Sequence, residues 1–326
     1  MPPHHDIPDV LVLGEILVEL TSAEPLAPGA GLTLGISGDA LNVAAAAAAA
    51  AARTLLVARV PDDELGDAIV RRCTELGIDT SALVRGPGQH GLYLSHSDPD
   101  GEREFLYARR ASFGSTVAPE DLPAEALAGA GVVTASGIAS AVSATAAATV
   151  RAAAEGARRF VYDPNLRPRL TTVEQARAQL QALAPHCEVV KPSWPTEVTR
   201  LLGLPAGATE EDALAGLRAL GVADVVLTRG ARGAVVADAS GVTAVPIVPA
   251  PVVKDQTGAG DSFTGTLCAR LALGDTLLEA VRLASAAASL SVGGIGGTGL
   301  VPTLTQTREH LNRAARIETT LTEEAS

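Results

Sequence analysis

Aromatic side chains are scarce in this 326-residue chain: Phe, Tyr and Trp make up 2% of it, although 47% of its residues are apolar. A core without large rings has to be filled with Ala, Val and Leu, as in a sheet buried on both faces by helices, so an α/β fold is expected. Positive charge is short too, with 25 Lys and Arg against 37 Asp and Glu and a formal net charge of −12. Such a chain lacks the cationic face that displaces counterions from phosphates; this excludes nucleic acid as a partner class without excluding a nucleotide held locally. Three cysteines, Cys73, Cys187 and Cys268, are odd in number, far apart and without metal-ligand spacing. They cannot form a complete disulfide set, and a reducing cytoplasm is the expected compartment. Long hydrophobic runs are missing near the start, where the run from Val10 to Leu13 is soon interrupted by Glu15 and no basic segment precedes it. Neither a signal peptide nor a membrane span is expected. His4 and His5, adjacent in a proline-rich start, read as a tail rather than as metal ligands.

The order of the remaining residues alternates between strand and helix patterns. Residues 10–13 and 15–20 read as strands, Gly29, Gly31 and Gly35 as loop positions, and residues 40–52 as a helix whose nine alanines, 44–52, allow close packing on a sheet. Strand 54–60 and helix 67–76 follow, then a hairpin of 91–97 and 103–109 joined by the turn residues Asp98, Pro99, Asp100 and Gly101. This hairpin interrupts the alternation and is read as part of a lid. Strands at 131–134, 159–162, 188–191 and 224–228, separated by helical stretches, predict a mainly parallel sheet with right-handed crossovers. No internal repeat or long linker divides the chain.

Residues 254–263 read K-D-Q-T-G-A-G-D-S-F. Gly258, Ala259 and Gly260 are small enough to expose successive backbone N–H groups at a helix N-terminus, where unpaired donors and the helix dipole favour an anion. Asp261 then stands beside that anion. From there it can take the proton of an incoming hydroxyl while the amides stabilise charge on a transferred phosphoryl group. Taken alone, the four residues also fit a tight turn with Asp261 as the helix cap. No Walker-type Gly-Lys-Ser/Thr occurs to offer a competing phosphate site.

In its context this segment resembles the Gly-Ala-Gly-Asp signature of the ribokinase-like (pfkB) carbohydrate kinases, and the resemblance covers nearly the whole chain. It implies a single domain, residues 1–326, with a central mostly parallel sheet between helices and a small β-sheet lid from about 15–35 and 91–112. It further implies ATP and Mg²⁺, a small sugar or sugar-acid partner, and a homodimer formed through the lid. Residues 37–44, S-G-D-A-L-N-V-A, look like the family's first signature, with Gly38 admitting the sugar and Asp39 and Asn42 meeting its hydroxyls. A capping Asp39 and a buried structural Asn42 fit the same letters.

G-L-Y-L at 91–94, Y-A-R at 107–109 and D-P-N-L-R at 163–167 look like the 2-keto-3-deoxygluconate kinases of the family, where Tyr and Arg meet a sugar acid. Tyr93, Tyr107 and Arg109 are the positions concerned, and the planar guanidinium of Arg109 suits a carboxylate. Tyrosines on strands are also ordinary packing. Arg167 is open to a sugar carboxylate, to the ATP phosphates, or to a surface ion pair. By resemblance the nucleotide borders Asn165, Lys191 and Ser193, together with Thr228, Gly230 and Gly233 in T-R-G-A-R-G-A, although Thr228 equally fits a strand end. Asp255 resembles a residue near the monovalent-cation loop of some relatives and is the candidate K⁺ contact.

Two departures stand out. The family's Asn-x-x-Glu segment, which organises Mg²⁺ and phosphates, reads Ser193, Trp194, Pro195, Thr196, with Glu197 one position late. Val60, Pro61, Asp62 and Asp63 lack the glycine that relatives carry before the Asp, and Asp63 is read as structural. Rivals to the sugar-acid kinase are a fructokinase or other neutral-sugar kinase and a non-catalytic sugar or nucleotide sensor; the intact Asp261 speaks against the sensor.

Overall fold

A computed structural model describes residues 7–97 and 103–324. Its strands, in chain order, are β1 (Val10–Leu13), β2 (Leu17–Ser22), β3 (Thr33–Ser37), β4 (Thr54–Pro61), β5 (Leu83–Gly86), β6 (Leu92–Ser97) and β7 (Arg103–Ala108), then β8 (Val132–Ser136), β9 (Phe160–Asp163), β10 (Val189–Val190), β11 (Asp224–Thr228), β12 (Ala234–Asp238) and β13 (Gly241–Val245). Among the described residues they form a nine-stranded sheet ordered β13-β12-β11-β10-β9-β8-β1-β4-β5 and a four-stranded sheet ordered β3-β2-β6-β7. From β11 to β5 every pairing in the large sheet is parallel. Both faces of β1 and β8 are buried, as the unbroken apolar run V-L-V-L of β1 requires. A mostly parallel sheet between helices with a separate small sheet is the architecture expected from the motifs.

The chain leaves β1 toward β4 on one side and later returns to β8 on the other. The strand order therefore reverses beside β1, and ligands of open α/β sheets bind outside the carboxyl ends at such a switch. The last residues of β8 and β9 are Ser136 and Asp163, and Glu15 and Lys191 follow just beyond β1 and β10. Strands β12 and β13, antiparallel extensions of the sheet, are not among the elements expected above. The glycines that turn β11 into β12 look the same in sequence as a phosphate loop.

In the small sheet, pairing places Glu19 opposite Tyr93 and Tyr93 opposite Tyr107. One step along, Leu34, Leu20, Leu94 and Leu106 line up in register across all four strands. Because side chains alternate faces, the first row faces the cavity and the second points away from it, with Leu34 56% and Leu106 45% exposed. Gly35, expected in a loop, lies within β3, where a methyl would stand 3.0 Å from the Glu19 carboxylate. The turn expected at 98–101 lies outside the described residues.

The alanine-rich helix spans Asp39–Ala49. It stops short of residue 52 because Ala51 turns into the left-handed region at φ 74°. Its small side chains meet a purpose in the helix Ala259–Ala272: a methyl on Gly265 there would stand 2.2 Å from the Val43 carbonyl oxygen. Only small residues permit that approach, and it brings the N-termini of the two helices together. The helix expected from residue 67 begins at Glu64, and Asp63 caps it by accepting the Gly66 N–H at 2.8 Å.

Candidate active site

The two helix N-termini and the inner face of the lid enclose a cavity of about 700 Å³ at the carboxyl ends of the strands. Gly258, at φ 79°, opens the helix Ala259–Ala272, and a methyl at that position would stand 2.8 Å from the Gly297 carbonyl. A methyl on Gly260 would meet nothing within 4 Å, so that edge of the turn faces open space. The amides of Gly260 and Asp261 belong to the first helical turn and have no acceptor within the helix. The Ala259 N–H differs from the expectation of three free amides, because it is held by the Gln256 carbonyl at 3.2 Å.

Asp261 projects from this turn to the cavity wall, and its Oδ2 accepts the Asn42 Nδ2–H at 2.8 Å. Asn42 is itself held, its Oδ1 accepting the Ser37 hydroxyl at 3.2 Å. Burial raises the Asp261 carboxyl to about 7, helped by the nearby charges of Asp39 and Asp163 and opposed by Asn42 and Arg167. A carboxylate poised near neutrality suits a general base.

Asp39 is the first residue of its helix rather than the cap, a position taken by Gly38 at φ 114°. Its Oδ2 accepts the Ser136 hydroxyl, while its buried Oδ1 has no partner among the described residues. Burial raises this carboxyl, and Arg109, Ser136 and Arg167 work against the rise. An unpaired buried acceptor beside that carboxyl is free to take a hydrogen bond from a ligand hydroxyl. Across the cavity, the Tyr93 hydroxyl contacts the Glu19 carboxyl and lies 3.2 Å from Ser37 Oγ. Its ring lies 6.3 Å from that of Tyr107, tilted at 53°. Arg109 lines the same wall with its guanidinium bonded to Glu15.

The opposite end carries the positive charge. Arg167, Arg169, Arg200 and Lys191 all line the cavity. Lys191 Nζ pairs with Asp163 Oδ2 at 2.8 Å, with both side chains buried, and stands 5.7 Å over the Phe263 ring. Asp163 also accepts the Thr264 hydroxyl at 3.1 Å and the Asn165 N–H at 3.2 Å. Ser193 and Asn165 line this end.

Thr228, Gly230 and Gly233 do not line the cavity. Thr228 ends β11 with its hydroxyl 3.4 Å from Ser193 Oγ, and Gly230 and Gly233, at φ 56° and 80°, turn the chain into β12. Asp255 also stands behind the wall, its two oxygens accepting the N–H groups of Thr257 at 2.7 Å and Gly296 at 2.9 Å.

Several residues with no binding role expected from the sequence complete the arrangement. Glu197, one position late in the sequence, reaches the cavity wall and bridges two loops by accepting the Leu166 and Ser193 N–H groups, each at 2.6 Å. Burial raises its carboxyl, and the Asp163 charge adds to the rise. Asp163 opens the D-P-N-L-R string that pointed to its neighbours, so it was within reach of the motif. Glu15 and Glu19 carried no local signal. Among the described residues no group of three His, Cys, Asp or Glu could hold a metal ion; a divalent ion here would have to be carried largely by phosphate oxygens and water, as suits Mg²⁺.

An unpaired carboxylate oxygen and two tyrosines at one end, an acid raised toward neutrality in the middle and a cationic end opposite, all along one cavity, suit a small-molecule phosphotransferase. The chain belongs to the pfkB family of carbohydrate kinases, whose profile matches residues 8–304. It is 33% identical to a 2-dehydro-3-deoxygluconokinase of Thermoproteus tenax, over 93% of this chain and 94% of that one. It is 27% identical to a fructokinase-1 of Zea mays, over 94% and 98%. A crystal structure of fructokinase with bound ATP from Xylella fastidiosa superposes with a TM-score of 0.84 at 21% identity, covering 94% and 98% of the chains. The chain is therefore a sugar kinase.

Proposed function

We propose that this kinase phosphorylates 2-keto-3-deoxygluconate (2-dehydro-3-deoxygluconate), with Asp261 taking the proton of the acceptor hydroxyl as that oxygen bonds to the γ-phosphorus of ATP and ADP leaves. The observation that carries the reading is Asp261 itself, fixed by Asn42 at 2.8 Å between a hydroxyl-binding wall and a cationic wall. The sugar acid would lie against Asp39, Tyr93, Tyr107 and Arg109, and the triphosphate against the Gly258–Gly260 turn, Arg167 and Lys191. Mg²⁺ would neutralise the β- and γ-phosphate oxygens during transfer. Asp255, with both oxygens on backbone amides, would shape the loop of a K⁺ site rather than offer a bare carboxylate.

One observation favours a second reading, a neutral ketose such as fructose. Arg109, the candidate carboxylate reader, already pairs with the buried Glu15, so the sugar end has no large surplus of positive charge.

The outward row of Leu34, Leu20, Leu94 and Leu106, exposed at its two ends and half-buried between, supports a homodimer formed by the outer faces of two lids. Three buried free cysteines, and the absence among the described residues of any helix long and apolar enough to cross a membrane, agree with a cytoplasmic enzyme. The test is ADP release over 2-keto-3-deoxygluconate, fructose, pentoses and nucleosides, with a sugar-free control. The highest kcat/KM is expected for the sugar acid; a higher value for fructose selects the second reading, and rapid ATP hydrolysis unchanged by any sugar rejects both.

A further inference from the structure

Arg109 is held by a device that the motifs do not contain. Glu15 follows β1 of the large sheet by two residues, whereas Arg109 follows β7 of the lid by one. Their side chains meet out of solvent, 5% exposed for Arg109 and 1% for Glu15. One carboxylate oxygen, Glu15 Oε2, accepts from both Nε, at 2.9 Å, and Nη2 of the guanidinium. The other, Oε1, accepts the Ser112 hydroxyl.

The slot is cut for this carboxylate: a methyl on Gly91 would stand 2.4 Å from Glu15 Oε1, and one on Gly114 would stand 2.7 Å from Glu15 Cγ. Two glycines from different segments thus make room for one buried acid.

We propose that Glu15 is a positioning residue for sugar recognition, clamping the Nε edge of Arg109 so that the remaining N–H groups of the guanidinium are aimed into the cavity. The proposal rests on the reading of Arg109 as a sugar contact. Two of the five guanidinium N–H donors are committed to Glu15 and Ser112 fixes the acid in turn, leaving the Nη1 edge and one Nη2 N–H for a ligand. Since Glu15 balances the charge of Arg109, the arginine selects a sugar by the direction of its donors more than by net attraction. The clamp also ties the large sheet to the lid, so the donors are aimed only while the lid keeps its place relative to β1.

The experiment is steady-state kinetics on the full chain with 2-keto-3-deoxygluconate and fructose, for wild type, Glu15→Gln, Glu15→Asp, Gly114→Ala, Arg109→Ala and Glu15→Gln/Arg109→Ala. Glu15→Asp keeps the charge but withdraws the carboxylate by one methylene. Displacements of about 1 Å at positioning groups cost up to a hundredfold, so Glu15→Gln, Glu15→Asp and Gly114→Ala are each expected to raise the KM of the better sugar about tenfold. The KM for ATP should stay within about twofold. In the Arg109→Ala background, Glu15→Gln should add little, because the group it aims is gone.

If Arg109→Ala raises the sugar KM but Glu15→Gln costs the same with and without Arg109, the positioning role is overturned while Arg109 stays a sugar contact. If Arg109→Ala leaves the KM of both sugars unchanged, the sugar-contact reading falls and the positioning role with it. Glu15→Asp and Gly114→Ala keep the test open should Glu15→Gln not fold.

Discussion

Replacing Asp261 by Asn separates the cost of the base from its use. Burial first, then the charges of Asp39 and Asp163, raises its carboxyl from 3.8 to about 7, which corresponds to about 4 kcal/mol against holding it ionised. Because the folded value lies above the unfolded one, the native state binds the proton more tightly. The cost is absent below about pH 3.8, grows as pH rises, and is fully present above about pH 7. Asn keeps the shape without the charge. Between pH 5 and pH 8 the stability advantage of Asp261→Asn over wild type should widen by about 2.5 kcal/mol. With a melting entropy of about 0.7 kcal/mol/K for a chain of this size, that is about 4 °C in Tm. Over the same range phosphorylation should be lost, kcat falling by about 10²–10⁴, the usual worth of a general base. Wild-type kcat/KM for the sugar should fall as pH drops below about 7 and the base takes up its proton. Ligand-free thermal scans at the two pH values and ADP-release assays check these outcomes. An Asn variant that is as active as wild type, or no more stable at pH 8, would refute the buried-base argument.

Lys191→Ala leaves Asp163 buried without its cation and should destabilise the fold by about 3–5 kcal/mol, read as a lower urea midpoint. Adding Asp163→Asn should recover a large part of that loss, and no recovery would mean that Lys191 acts through packing on Phe263 instead. Leu34→Asp places a charge at the exposed end of the outward leucine row of the lid. If two lids pair there, light scattering should give half the wild-type mass with the fold retained, whereas an unchanged mass would show that the row is not the interface.

How much of this could be read from the letters depends on how far apart the interacting groups lie. The turn at Gly258, Gly260 and Asp261 is contiguous, so its left-handed glycine, open amides and acid are all written within a few residues. The parallel sheet is legible for a similar reason, since buried strands such as V-L-V-L need no partner to be recognised. The end of the alanine-rich helix is not legible, because Ala51 enters the left-handed region where nine identical letters offer no local stop. Gly230 and Gly233 are visible as glycines. Whether such glycines cradle a phosphate or turn a hairpin depends on β13, which pairs with β12 only in the folded sheet.

Charge is hardest to read at a distance, and the sugar end shows why. Read by itself, Arg109 is a free cation that invites a carboxylate. Glu15, 94 residues away in sequence, accepts two of its N–H bonds and balances its charge. Glu15 in turn is raised by burial more than Arg109 and Ser112 lower it, so the pair is held by the geometry of its slot as much as by attraction. A buried pair of this kind adds direction to a site without adding net charge. The choice between a sugar acid and a neutral ketose therefore turns on where the Nη1 edge points when the lid is in place, and a count of the basic residues around the cavity cannot supply that.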